Sequence, residues 1–157
     1  MRALAIDLDV FGDTRALWAG WLEDAARRFA AIAPLDPAAL PADRVQAAAA
    51  LDAWAAAGIG DWRAALGRWA EDHAPLHLRR KADVGDLLRR AQAHGARVGV
   101  FTDAPEPLAR VVLAQLGAER RVDALETGAG ALERLLARLG PHAVVVHSRE
   151  DLLRSGD

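Results

Sequence analysis

The chain has 157 residues, 52% hydrophobic and 27% charged, the composition of a globular protein with one sizeable core and not of a disordered or many-domained one. Its 20 basic and 22 acidic residues are interspersed, with a formal charge of −2, which speaks against nucleic acid as a partner. No cysteine is present, so disulfides, thiolate zinc sites and thiol nucleophiles are excluded. The opening MRALAIDLDV lacks a signal-peptide pattern, and no stretch approaches the roughly 18 apolar residues of a membrane helix; a cytoplasmic protein with no membrane contact is the expectation.

About a quarter of the chain is Ala, and 19 of the 20 basic residues are Arg, Lys81 being the only lysine; both read as codon bias of a GC-rich genome. The Ala-rich run Ala47 to Ala57 carries Leu51 and Trp54 at helical spacing, so it reads as a helix with a narrow apolar face.

In chain order, residues 3–8 are a short apolar run ending in Asp7 and Asp9, as expected of a buried strand whose carboxyl end opens on a polar site. From about Arg15 to Arg80 the pattern is helical. Leu17, Trp18, Trp21, Leu22, Ala25 and Phe29 form one stripe of a first helix ending near Ala33, with Pro34 and Pro37 closing the segment. A second helix is expected over 43–57, stopped by Gly58 and Gly60, and a third over 61–72 with Trp62, Leu66 and Trp69 on one side. Thereafter helix and strand alternate: helix 83–94 closed by Gly95, strand 97–101, helix 106–116 closed by Gly117, strand 122–125, helix 130–139 closed by Gly140, strand 143–147 and a last helix from Glu150. This βαβα series predicts an α/β fold, a Rossmann-like parallel sheet with helices on both faces and sites at the carboxyl ends of its strands. Residues 1–14 and 81–157 would form that core, with 15–80 a helical insertion after the first strand. All five tryptophans lie in the insertion. They are expected to give three small helices a core of their own; the alternative is a substrate pocket or dimer patch.

Three strand ends carry polar side chains. Asp7-Leu8-Asp9 leaves the first strand; were the strand to persist, the two carboxylates would share one face about 7 Å apart, a pair suited to a divalent cation or to dividing nucleophile from general acid. Thr102-Asp103 ends a later strand at the entry to a helix. Asp103 and Glu106 have the form of a capping box with Pro105 in the first turn, while a hydroxyl and free N–H groups at a helix start also suit phosphate. The third is Val144-Val145-Val146-His147-Ser148-Arg149-Glu150-Asp151, where a carboxylate could reach a metal held by Asp7 and His147 reads equally as a ligand or as a strand-end histidine.

D-x-D after the first strand, a helical insertion, hhhhTD after a later strand and an acidic site after the last resemble the haloacid-dehalogenase-like superfamily of aspartate-nucleophile phosphotransferases over essentially the whole chain. The resemblance implies Asp7 as nucleophile, Asp9 as general acid/base, Thr102 and Asp103 at the phosphate, Mg²⁺ held by Asp7, Asp9, Asp151 and His147, and residues 15–80 as the cap. The sequence departs from the pattern at three places. Val10-Phe11-Gly12 replaces Gly-Thr/Val-Leu and is one residue short; Glu126-Thr127-Gly128-Ala129-Gly130-Ala131-Leu132 has no lysine where the third motif places one, leaving the compensating cation unassigned among Arg134, Arg120, Arg121 and Lys81; and His147 stands where the last motif has its first Asp. A carboxylate at Asp9 favours phosphomonoester hydrolysis over carbon–halogen cleavage, because a halide needs no proton. The expectation is a Mg²⁺-dependent phosphatase acting on a small phosphorylated substrate. The alternative is a weakly active or inactive protein of the same fold serving as a binding or dimerising module. A response-regulator-type phosphoacceptor domain is disfavoured, since it would carry no helical insertion after its first strand. A sheet edge left open at the end of the chain is where a homodimer would form.

Overall fold

The computed structural model describes residues 2–32, 36 and 40–155. The apolar runs become four parallel strands, β1 (Ala3–Asp7), β2 (Arg97–Thr102), β3 (Ala124–Thr127) and β4 (Val144–Val146), in the order β3-β2-β1-β4. Pairing runs from Ala3 opposite Arg97 to Asp7 opposite Phe101, with Ile6 opposite Val146 and Thr102 opposite Thr127. Asp7, Thr102 and Thr127 are thereby delivered to one edge of the sheet, where the chain leaves all the strands and ligand crevices form in such folds.

Strand alternation sorts the apolar residues onto two faces. Leu4 and Ile6 of β1, Val98 and Val100 of β2 and Val146 of β4 pack with Val84 and Leu88 of α4 (Ala82–Ala93), Leu108 and Val112 of α5 (Glu106–Gln115) and Leu152 of α7 (Arg149–Ser155). On the other face Ala5, Phe101 and Ala124 meet Ala131 and Leu135 of α6 (Ala131–Leu139). The expected α/β class, with helices on both faces of a parallel sheet, is what the chain adopts.

Gly99 lies opposite α6, and a Cβ there would stand 2.6 Å from Leu135 Cδ1 and 2.9 Å from Leu139 Cδ1. The missing side chain lets α6 approach the sheet. Gly99→Ala is therefore expected to destabilise the fold by about 1–3 kcal/mol through overpacking, read as a lower urea midpoint; an unchanged midpoint would mean that α6 shifts freely.

Between β1 and α4 the chain forms α1 (Arg15–Ala30), α2 (Arg44–Trp54) and α3 (Trp62–His77). Asp43 and Asp61 start the last two, accepting hydrogen bonds from Gln46 N (2.8 Å) and Ala64 N (3.0 Å). After α2 a π-helical turn over Ala55–Ile59 carries the chain to Gly58 and Gly60, whose φ of 110° and 86° only glycine adopts readily. All five tryptophans are buried. Trp21 meets Trp69 at 5.9 Å and the edge of Phe29 at 6.2 Å between ring centroids. Their cluster is continuous with the sheet face that holds Leu4, Ile6 and Val100, and α3 lies along α5. The insertion's core is thus shared with the sheet, not its own.

Several boundaries differ from the sequence reading. β1 stops at Asp7, because the chain turns into a 3₁₀ turn at Leu8–Val10. α3 runs on to His77 through Pro75: a proline this close to the end removes little of the hydrogen-bond ladder, and Ala70, Ala74 and then Leu78 keep the apolar face buried. β3 is displaced to Ala124–Thr127 and α7 begins at Arg149. Ala33, Pro34 and Pro37, expected to end the first helix, lie outside the described residues, as do Gly156 and Asp157.

Candidate functional site

Asp7 ends β1 and caps the turn that follows, its Oδ1 accepting a hydrogen bond from Asp9 N at 3.0 Å. Because the strand does not persist, the two carboxylates are not same-face neighbours on one strand. Asp9 instead reaches forward to buried Thr14, its Oδ1 accepting from Thr14 N at 3.2 Å and from Thr14 Oγ1 at 2.6 Å. Asp7 Oδ2 is the carboxylate oxygen left for a ligand, with His147 Nδ1 3.9 Å away.

One strand over, Thr102 is 5% exposed and its Oγ1 accepts from Ala104 N at 3.2 Å, which leaves its O–H as the donor for a bound group. The capping box expected from Asp103 and Glu106 does not form. Pro105 is the N-cap of α5 and makes no side-chain cap; the Asp103 carboxylate is drawn instead to Arg44.

Arg44, the first residue of α2, belongs to no motif in the sequence. Its Nη1 donates to Thr14 Oγ1 at 2.7 Å, its Nη2 lies 3.4 Å from Asp9 Oδ2, and its Nε lies 2.9 Å from Asp103 Oδ1. The one local signal was that a cation in the first turn of a helix opposes the helix dipole, so something outside the helix has to hold it there.

Arg134, Lys81 and Arg121 lie outside this group. Arg134 pairs with Glu126 at 3.0 Å and donates to the carbonyls of Thr127 and Ala129. With Arg138 it holds the Glu126 carboxyl below the usual glutamate range and fixes the loop from Thr127 to Gly130. Lys81 and Arg121 line a small separate cavity beside Phe11.

Asp7, Asp9, Arg44, Thr102, Asp103 and Glu133 line one open cavity of about 430 Å³, together with Gly128 to Ala131. Asp151 and His147 are not in its lining. Asp151 Oδ2 accepts from His147 N at 3.2 Å while Ser148 Oγ accepts from Asp151 N at 3.1 Å, a reciprocal cap on the start of α7. The His147 ring stands edge-on to Phe101 at 5.7 Å.

Magnesium takes near-octahedral oxygen donors. As placed, the four expected ligands do not make that cage: Asp9 is engaged by Thr14 and Arg44, Asp151 by the backbone of His147, and His147 offers nitrogen. Among the described residues no group of three or more His, Asp or Glu is gathered for a metal.

Burial raises the Asp7 carboxyl above the ordinary aspartate value; the hydrogen bond from Asp9 N opposes this, the Asp9 charge adds to it, and His147 and Arg44 oppose it again. A carboxyl whose pKa is raised by folding holds its proton more tightly in the folded chain. Its contribution is fully present below the ordinary value of 3.8 and is lost as pH rises through the raised one. At neutral pH the ionised group is a net cost to the fold. Asp7→Asn keeps an Oδ1 acceptor for Asp9 N and removes the charge, so its melting temperature is expected to exceed the wild type's at neutral pH, with the gap closing in acid; a lower value at neutral pH would contradict the burial account.

No protein-family model matches the chain, and none of the curated proteins matches it. Among the described residues no helix is long and apolar enough to cross a membrane.

Proposed function

We propose that the protein is a phosphomonoester hydrolase with Asp7 as its nucleophile, as its resemblance to the haloacid-dehalogenase-like superfamily implies. The observation that carries this reading is the meeting of Asp7, Asp9 and Thr102, delivered by two neighbouring parallel strands and the turn after the first, in one cavity with Arg44.

In the first half-reaction Asp7 Oδ2 attacks phosphorus in line. The new Asp7–phosphorus bond forms as the bond to the leaving oxygen breaks, and protonated Asp9 gives its proton to that oxygen. Thr102 O–H holds the transferred oxygens. In the second, Asp9 takes a proton from water, which attacks phosphorus and releases Asp7 and inorganic phosphate. A divalent cation, where bound, would supply further charge neutralisation. The leaving group has room in an adjoining groove of about 660 Å³, which shares Val45, Asp103, Gly128 and Ala129 with the cavity and is walled by Ala48 and Ala49 of α2 and by Pro105 and Pro107. A small leaving alcohol, as the sequence suggests, fits this open groove.

The test is phosphate release from a panel of phosphomonoesters, with and without Mg²⁺, beside Asp7→Asn. Turnover reduced by at least roughly 10³-fold in the variant is expected of a lost nucleophile. The second reading, a binding protein of the same fold, draws on the engagement of the cavity's arginine by Asp9 and Asp103; it prevails if the folded protein releases phosphate from no ester in either buffer.

A further inference from the structure

We propose that Arg44 is the phosphoryl-binding arginine of this cavity, and that an incoming phosphate takes it from Asp103. This rests on the proposed function for where phosphate sits, and not on turnover.

Arg44 is the one cation in the lining described for the cavity. Arg63 and Arg110, in the adjoining groove, are paired with Asp52 and Glu106, and Arg134 is tied to Glu126 and the loop carbonyls. Its side chain is only 14% exposed, and its three partners come from two core segments, the loop after β1 and the residue after β2. The partners are unequal. Thr14 Oγ1 is buried and close at 2.7 Å, so it orients the guanidinium. Asp103 has a side chain 52% exposed, and an ion pair with so wet a partner is worth little. Asp9 is the longer contact at 3.4 Å. The hold on orientation is therefore firm while the carboxylate contacts are cheap to exchange, and a planar guanidinium matches two phosphate oxygens at once.

Charge supplies the reason for an exchange. With a ligand absent, Asp7, Asp9, Asp103 and Glu133 outnumber Arg44 in the cavity lining, which disfavours an anion. Moving the guanidinium from Asp103 to phosphate turns a quenched charge toward the ligand, and Asp103 is left at the exposed rim, where water solvates it. Asp103, read from the sequence as a phosphate-binding residue, is on this account the competitor. Since Arg44 opens α2 and Asp103 belongs to the sheet core, the same exchange loosens one tie between the insertion and the core whenever phosphate enters.

The experiment is titration calorimetry with inorganic phosphate, in EDTA and separately in Mg²⁺, on wild type, Arg44→Ala, Asp103→Asn and the double variant, each checked by far-UV circular dichroism. In at least one of the two buffers phosphate is expected to bind wild type, to bind Arg44→Ala at least about tenfold more weakly, as for loss of a charged hydrogen-bond donor, and to bind Asp103→Asn up to about fivefold more tightly, the worth of one exposed pair. The gain from Asp103→Asn should vanish in the Arg44→Ala background. An equal gain in both backgrounds would reduce Asp103 to a general repulsion and overturn the proposal, as would unaltered binding in Arg44→Ala or no binding by wild type in either buffer. Should Arg44→Ala not fold, Arg44→Lys, which keeps the charge and loses the fork, takes its place in the cycle. Phosphate binding of the expected pattern without ester turnover would end the hydrolase reading and leave this one standing; turnover indifferent to Arg44 would do the reverse.

Discussion

Trp21→Ala is expected to cost the protein about 3–5 kcal/mol, the range for deleting a buried indole. Trp21 is 0% exposed and lies at the centre of the insertion's aromatic cluster, between Phe29 of its own helix and Trp69 of α3. Those helices cannot close over the hole cheaply, because α3 is also packed against α5 of the core. The shared cluster makes a second, sharper statement: insertion and sheet should unfold together. Urea unfolding followed by tryptophan fluorescence, which reports only the insertion, and by far-UV circular dichroism, which reports both parts, should give coincident transitions in the wild type and in the variant. An early fluorescence transition with the remaining helix and sheet signal intact would show that the insertion is a separately stable unit.

The second large effect is expected at Asp9. Asp9→Asn keeps an oxygen for Thr14 N and Thr14 Oγ1, so the turn after β1 should survive. The side chain can no longer give up or take a proton, and a fall of roughly 10²–10⁴ in turnover follows from losing a general acid/base. The loss should depend on the leaving group. An alkyl ester needs its leaving oxygen protonated and should show the full fall in both half-reactions. A nitrophenyl ester leaves unaided, so only attack by water is impaired, and the variant should release one nitrophenolate per chain in a burst before a slow steady state. An equal fall for both esters, with no burst, would remove Asp9 from the proton-transfer role and leave it as a support for Thr14 and Arg44.

Much of this molecule was legible along the chain because its signals are local. Short apolar runs ended by Asp7, Thr102 and Val146 mark strands whatever surrounds them, and glycines such as Gly95, Gly117 and Gly140, all at positive φ, mark where helices stop. The nearness of Asp7 to Thr102 follows once the strands are known to be parallel, since one register sets both. What could not be read depends on where a helix points. Nothing in Asp43-Arg44-Val45 says that α2 begins against the carboxyl edge of the sheet, so no local signal places the cavity's arginine there, while Arg134, a turn beyond the position where the third motif has its cation, holds a loop. Asp151 is held locally. Its spacing from Ser148 is that of a reciprocal helix cap, and the local partner won over the distant site. The spacing of Asp103 suits a cap as well as a phosphate site, but Pro105 takes the cap position and the carboxylate pairs with a residue some sixty positions earlier.

The most direct test of the central claim is to stop the reaction in acid while ester is being consumed and to locate the phosphoryl group by peptide mass spectrometry, using Asp9→Asn so that the second half-reaction is slow. One phosphoryl group on the peptide containing Asp7, absent when Asp7→Asn is added, is the predicted result. Steady phosphate release with Asp7 unmodified at every quench time would mean that water attacks phosphorus directly, and Asp7 would not be the nucleophile.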